Sequence, residues 1–445
     1  MKPASRDKIA VMQQIDISAD ELVSALLNIA ASETVCILDS CGVNHLGSHL
    51  LIAGIEPVSL HKIANEEFEK TLTILDEALD SKHLASIFTI SYDLGKKLLG
   101  ISPEISVNKE PDVFLAQFDS LIVHDYNTGI TNIVGEPVRF DSIRSKLVSN
   151  ICNLKSEFSN GHVDVRSNFT RDEYLSAIET IKELIRQGDT YQTNLTQQLS
   201  AKLPEGLKPE TIFYRLRRDH PAPFAAFIKR LDSTVVSASP ERFFCVDAAQ
   251  SKISTSPIKG TRPRGETAAE DAALRQALLE STKDRAENTM IVDLLRNDLG
   301  RISEYGSVHV EKLCDLEEHP TLFHLVSTIS GEVKQNTSFS DILKAVFPCG
   351  SITGAPKLST MRIINDTEST PRGLSMGAIG YYVPKDKFGL PETIDMSVAI
   401  RTMVIRDQIA VFNVGGGIVI DSDPDSEYEE TLTKAKALIA ALKPL

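Results

Sequence analysis

The chain has 445 residues, of which 42% are hydrophobic, 24% charged and 6% aromatic, and its formal charge is −14. This composition excludes collagen-like, disordered and disulfide-scaffold classes, and the acidic balance opposes non-specific binding to nucleic acid or to an anionic membrane. Six cysteines without a CxxC or a zinc-spaced Cys/His group fit free thiols in a reducing compartment.

In chain order, Met1 to Gln14 mix charges with proline, and no apolar run reaches the ~18 residues of a membrane span, so a cytoplasmic protein is expected. Short apolar runs at Thr34 to Leu38, Leu50 to Ile55 and Ser120 to His124 read as strands, with a helix near Glu67 to Leu79. The polar stretch Asn153 to Asn168 is taken as a link between an N-terminal region, 1–155, and a second region, 168–445. That second region opens with a helix. Thr170 and Glu173 have capping-box spacing, Tyr174, Ile178, Ile181 and Ile185 form a stripe, and Gly188 can end it.

Tyr191 to Leu199 is strand-like, yet its alternate residues Gln192, Asn194, Thr196 and Gln198 are polar, so that face meets water or lines a polar site. Further strands are expected at Thr234 to Ala238, Phe243 to Asp247, Met376 to Val383, Ser397 to Ile405 and Ile409 to Val414. Long helices are expected at Ala268 to Ser281, Asp284 to Asn297 and Pro424 to Leu442.

Several residues could carry chemistry. Asp284 and Glu287 share one helix face, as do Glu427 and Glu430 after an Asp423-Pro424 start. Face to face, these helices would gather four carboxylates that favour a hard dication such as Mg²⁺, although first-turn acids also serve simply to complement the helix dipole. Lys259 lies between Pro257 and Pro263 beside Gly260, as a nucleophile or as an ordinary loop lysine. Glu241 follows Ser239-Pro240, as a general acid or base or as a loop glutamate paired with Arg242. Arg401 interrupts an apolar run and needs an anionic partner, from the protein or from a substrate. Gly415-Gly416-Gly417 reads as an anion-binding nest or a tight turn, and Gly350 to Lys357 resembles a phosphate loop only superficially. His319 and His324 lie beside an apolar run, where a packed histidine is the ordinary case.

Six strings occur in a fixed order: Ser239 to Phe243 (SPERF), Pro257 to Thr261 (PIKGT), Lys283 to Asn288 (KDRAEN), Asp293 to Leu299 (DLLRNDL), Gly350 to Lys357 (GSITGAPK) and Ser426 to Ala435 (SEYEETLTKA). On these, residues 168–445 resemble the chorismate-utilising enzyme family; in the first half only Leu38-Asp39-Ser40 and Ser91-Tyr92-Asp93-Leu94-Gly95 look like family landmarks. The resemblance implies an α+β fold, a two-sheet sandwich of mainly antiparallel strands with flanking helices, in which both halves interlock.

Within that family, Lys259 is similar to the aminodeoxychorismate-forming branch, because the anthranilate-forming branch characteristically has alanine there. Gln192 stands where the water-using isochorismate and salicylate synthases have a lysine base. The resemblance therefore implies that ammonia enters at C4 of chorismate after Lys259 attacks C2 and Glu241 protonates the departing C4 hydroxyl. It also implies Mg²⁺ on Glu287 and Glu430, with Asp284 and Glu427 in or beside its shell. Arg401, Tyr381 and the amides around Gly417 would hold the enolpyruvyl carboxylate, with Thr353, Gly354 and His324 lining the ring. No glutaminase-like segment is visible, so a separate glutamine amidotransferase subunit is the expected ammonia source. The alternatives are anthranilate synthesis and a silent chorismate-binding regulatory subunit.

Overall fold

Residues 12–64, 67–101, 110–152, 161–318 and 322–444 are described by a computed structural model. Local chemistry sets the helix ends. Thr170 and Glu173 form the capping box of the helix Arg171–Gln187, and Gly188, at φ +86°, closes it in the left-handed conformation. The stripe Tyr174, Ile178 and Ile181 is buried against Leu195 and Ile418, so amphipathic spacing and packing agree.

Among the described residues the strands form one 12-stranded and one 10-stranded sheet. Both sheets run through both halves of the sequence. In the larger sheet the seam is the antiparallel pair Val35–Asp39 with Phe224–Lys229, and in the smaller it is Ala85–Ile90 with Ala378–Val383. A central apolar layer joins the sheets, with Cys36, Ile52, Ala226 and Val235 from one and Ile87, Phe114, Phe118 and Ile379 from the other. Outside the larger sheet lie the helices Ala19–Ala30, Phe140–Asn150, Pro209–Asp219 and Pro424–Ala441. Outside the smaller lie Phe68–Leu79, Thr282–Gly300 and Phe339–Val346. The result is the helix–sheet–sheet–helix layering expected of two amphipathic sheets that bury their inner faces together.

Four expectations need correction. The run Ser397 to Ile405 is not one strand: Thr393–Val398 and Thr402–Arg406 belong to different sheets, and the chain turns at Arg401, φ +47°. Gly415-Gly416-Gly417 is neither nest nor turn but the interior of the strand Ile409–Ile418, paired with Thr196, Leu195 and Asn194. The supposed link contains a strand, Val165–Ser167, paired with Leu199–Ala201. Lys259 stands on the strand Ile258–Pro263, not on a loop.

Candidate active site

The site is built from the strands Gln192–Lys202 and Ile409–Ile418, the latter packed on the helix Pro424–Ala441, and from the strand Ile258–Pro263 packed on the helix Thr282–Gly300. Gly260 brings two of these parts together. At φ +88°, a Cβ there would lie 3.0 Å from the side chains of both Asp284 and Leu278, so only glycine allows the Lys259 strand this close to the acidic helix.

Lys259 is half-buried, and its Nζ donates to the Ser351 carbonyl at 3.4 Å. Glu241 is 5% exposed, and its Oε1 has no hydrogen-bond partner among the described residues. Burial pushes its pKa above the usual carboxylate value; the Ser351 hydroxyl, the Lys259 ammonium, the Ile258 amide and Lys434 oppose that rise without cancelling it. Ser351, which the sequence did not single out, thus stands between the amine and the acid. Arg242 does not pair with Glu241: it makes a two-pronged contact with Asp395, 2.9 Å on each prong.

The four acids share one neighbourhood without meeting at a point. Glu287 lies within electrostatic reach of Asp284, Glu427, Lys259 and Lys283, but among the described residues no three His, Cys, Asp or Glu groups form a metal-ready set. Asp284 is bonded by Arg262 at 2.9 Å, Glu430 by Lys434 at 2.8 Å and Glu427 by the Ser422 hydroxyl at 2.7 Å, with Lys283 3.9 Å from Glu427. Burial raises the pKa of Glu287 and of Glu427. For Glu430, partial desolvation is outweighed by the Lys434 ammonium, and the carboxyl is held low.

Glu287 has no hydrogen bond or ion pair of its own among the described residues, and Glu427 Oε2 would lie 3.0 Å from a Cβ at Gly416, room that only a glycine strand leaves. One hard-oxygen carboxylate without a partner among the described residues, Glu287, with three acids nearby, is a donor set that a hydrated Mg²⁺ could use.

Arg401 is half-buried, and burial lowers its pKa; no carboxylate of the described residues bonds it. Gln192 and Asn194 are buried, each with its side-chain oxygen unpartnered. A Cβ at Gly417 would lie 1.9 Å from Gln192 Nε2, so the glycine seats the glutamine amide. Thr353 is fully buried, its hydroxyl bonded to the Cys349 carbonyl at 3.0 Å, and Gly354 pairs with Thr193. His324 Nδ1 lies 2.8 Å from the Thr261 hydroxyl, two residues along the strand from Lys259.

Tyr381 lines a cavity with Asp39, Ser40, Phe224, Arg242 and Asp395, whose lining does not include Arg401, and burial followed by Asp395 drives its pKa well up. Lys357 of the loop that resembles a phosphate loop is a structural lysine, 2.6 Å from Asp298 and 2.8 Å from the Val346 carbonyl. His319 lies outside the described residues. Sequence reasoning gave no role to Ser351, Lys434 or Lys283. For Lys434 the signal was present, four residues after Glu430 on one helix face.

A model of the chorismate binding enzyme family matches residues 42–440, and the chain belongs to this family. It is 43% identical over 284 residues to an aminodeoxychorismate synthase of Streptomyces pristinaespiralis, covering 63% of this chain and 38% of that protein's length. It is 36% identical over 428 residues to an anthranilate synthase component 1 of Haloarcula marismortui, covering 87% of this chain and 82% of that one. The solved structure of anthranilate synthase component I from Streptococcus pneumoniae superposes with a TM-score of 0.76 at 28% identity, over 89% of this chain and 93% of that one. Among the described residues no helix is long and apolar enough to cross a membrane.

Proposed function

We propose that the chain converts chorismate and ammonia to 4-amino-4-deoxychorismate and water, a step toward 4-aminobenzoate and folate. The observation that carries this reading is Lys259, an amine on an edge strand that donates to the Ser351 carbonyl and whose charge reaches the acid Glu241. An alanine there, as the anthranilate-forming branch has, offers no nucleophile.

Glu287 and Glu430, with Asp284 and Glu427 beside them, would hold Mg²⁺, whose charge would serve the ring carboxylate of chorismate. Arg401 supplies the guanidinium for the second carboxylate. Lys259, as the free amine, bonds to C2; both ring double bonds shift, C1=C2 becoming C1=C6 and C5=C6 becoming C4=C5, the C4–O bond breaks, and the oxygen takes the Glu241 proton and leaves as water. Ammonia then bonds to C4, both double bonds shift back, and the C2–N bond breaks to free Lys259. The Glu241 carboxylate takes the surplus proton of the entering ammonia. Gln192, an amide where a water-using enzyme needs a base, leaves water unactivated. A glutamine amidotransferase in a separate chain is the proposed ammonia source.

Mass spectrometry of the products from chorismate, Mg²⁺ and an ammonium salt tests the reading: 4-amino-4-deoxychorismate supports it. Anthranilate instead would favour the second reading, to which the Haloarcula match over most of the chain points. Magnesium-dependent binding without turnover would mean a silent binding subunit.

A further inference from the structure

The strand Gln192–Lys202 pairs along its length with Ile409–Ile418, but on its other edge only Gln192, Thr193 and Leu199–Ala201 meet strands. The gap exposes backbone groups inside the protein, where an unpaired amide or carbonyl is costly. Side chains take the missing strand's place. Arg372 Nη2 donates to the Asn194 carbonyl at 2.6 Å, and Glu368 Oε1 accepts from the Thr196 amide at 2.8 Å and from its hydroxyl at 3.0 Å. The same guanidinium donates through Nη1 to the Ile352 carbonyl at 3.0 Å, in the turn that leads into Thr353.

Arg372 and Glu368 are themselves joined by two bonds, 2.9 and 2.7 Å. Tyr92 lies across the guanidinium, 4.5 Å from its ring centroid to Cζ. Its neighbours hold the next residue: the Ser91 hydroxyl donates to the Gly373 carbonyl at 2.8 Å, and the Gly373 amide donates to Asp93 at 3.0 Å. The Tyr92 hydroxyl has no hydrogen-bond partner among the described residues, so the ring face is what this residue contributes.

We propose that the Arg372–Glu368 pair, backed by Tyr92, is a positioning device that fixes both walls of the site: the Gln192–Asn194 strand and the Ser351–Thr353 turn. This gives a role to the Ser91 to Gly95 landmark of the first half, and it rests on the proposed reaction. Arg372 and Glu368 touch no reacting atom; they act through the Ser351 carbonyl beneath Lys259 and the Gln192 amide above Gly417. A planar fork reaches two carbonyls and a carboxylate at once, whereas a lysine ammonium cannot.

The test compares Arg372→Lys, Tyr92→Leu and Tyr92→Phe with the wild type, with chorismate, Mg²⁺ and ammonium. Arg372→Lys should lower kcat by about 30-fold or more while KM for chorismate stays within about threefold. Amide hydrogen exchange should rise about tenfold across 192–198 and 350–354 but not across 224–229. Tyr92→Leu should move both readouts the same way, and Tyr92→Phe should restore them. Wild-type kcat per folded molecule in Arg372→Lys, or exchange rising evenly through the sheet, would overturn the proposal in favour of a purely structural pair. Should Arg372→Lys not fold, the two Tyr92 variants decide: equal kcat and exchange in Leu and Phe would overturn it. If the wild type makes no 4-amino-4-deoxychorismate, the reaction reading fails, and the exchange pattern still decides whether the pair fixes those two segments.

Discussion

Replacing Glu241 with glutamine keeps the shape of the side chain and removes the proton that the C4 hydroxyl requires. The carboxyl is buried, one of its oxygens is unpartnered, and its pKa is raised above 4.5 chiefly by burial. A carboxyl raised in the fold binds its proton more tightly there than in the unfolded chain. Its contribution to stability therefore falls as pH climbs from the unfolded pKa through the folded one, and stays low beyond. The loss is ~1.4 kcal/mol for each tenfold difference between the two ionisation constants. Glutamine carries no such loss. Glu241→Gln should therefore be more stable than the wild type near neutral pH, by a margin that widens as pH rises above the usual carboxylate value and levels off once the folded carboxyl has ionised, while kcat drops by ~10²–10⁴. Scanning calorimetry across pH and initial rates with saturating chorismate measure both effects. A kcat within tenfold of wild type, or a stability gap indifferent to pH, would refute the acid role or the burial argument respectively.

Three other outcomes follow from the geometry. Arg401→Ala removes a charge-assisted bond worth about 1.5–3 kcal/mol, so KM for chorismate should rise ~10–100-fold without loss of melting temperature; an unchanged KM would place the substrate carboxylate elsewhere. Gly417→Ala pushes a Cβ to within 1.9 Å of the Gln192 amide; because that amide ends a flexible side chain, stability should fall by less than ~1.5 kcal/mol while turnover falls ~10-fold, and steady-state kinetics would reveal the opposite pattern. Magnesium at 100 times its Kd should stabilise the protein by about 2.7 kcal/mol, and Glu287→Gln should abolish most of that shift in thermal melts.

The elements whose signals are local were legible in the sequence. The capping box at Thr170, the Asp423-Pro424 start and the stripe from Tyr174 each depend on residues within one or two turns, and each stands where its spacing puts it. What spacing could not show was the third dimension. Arg401 sits in an apolar run that reads as one strand, but the chain leaves one sheet for the other there, at a left-handed residue that no alternation pattern marks. Tyr381 reads as a neighbour of Arg401, yet it lines a cavity with Asp39 and Phe224 of the other sheet, a juxtaposition of sheets that no local spacing marks. Three adjacent glycines suggest a turn, but here they leave room for Gln192 and Glu427 to pack over a flat strand. The Arg372–Glu368 pair was invisible for a similar reason: its partners are backbone groups of Asn194, Thr196 and Ile352, which carry no side-chain signature.

The central claim is that the Lys259 amine forms a bond to the ring of chorismate. Rapid quenching of the protein with chorismate and Mg²⁺, followed by peptide mass mapping, tests it most directly. The Lys259 peptide should gain the mass of chorismate less one water, and the adduct should vanish in Lys259→Ala and discharge when ammonium is added. Product formation at full rate with Lys259 unmodified, or by the Lys259→Ala variant, would contradict it.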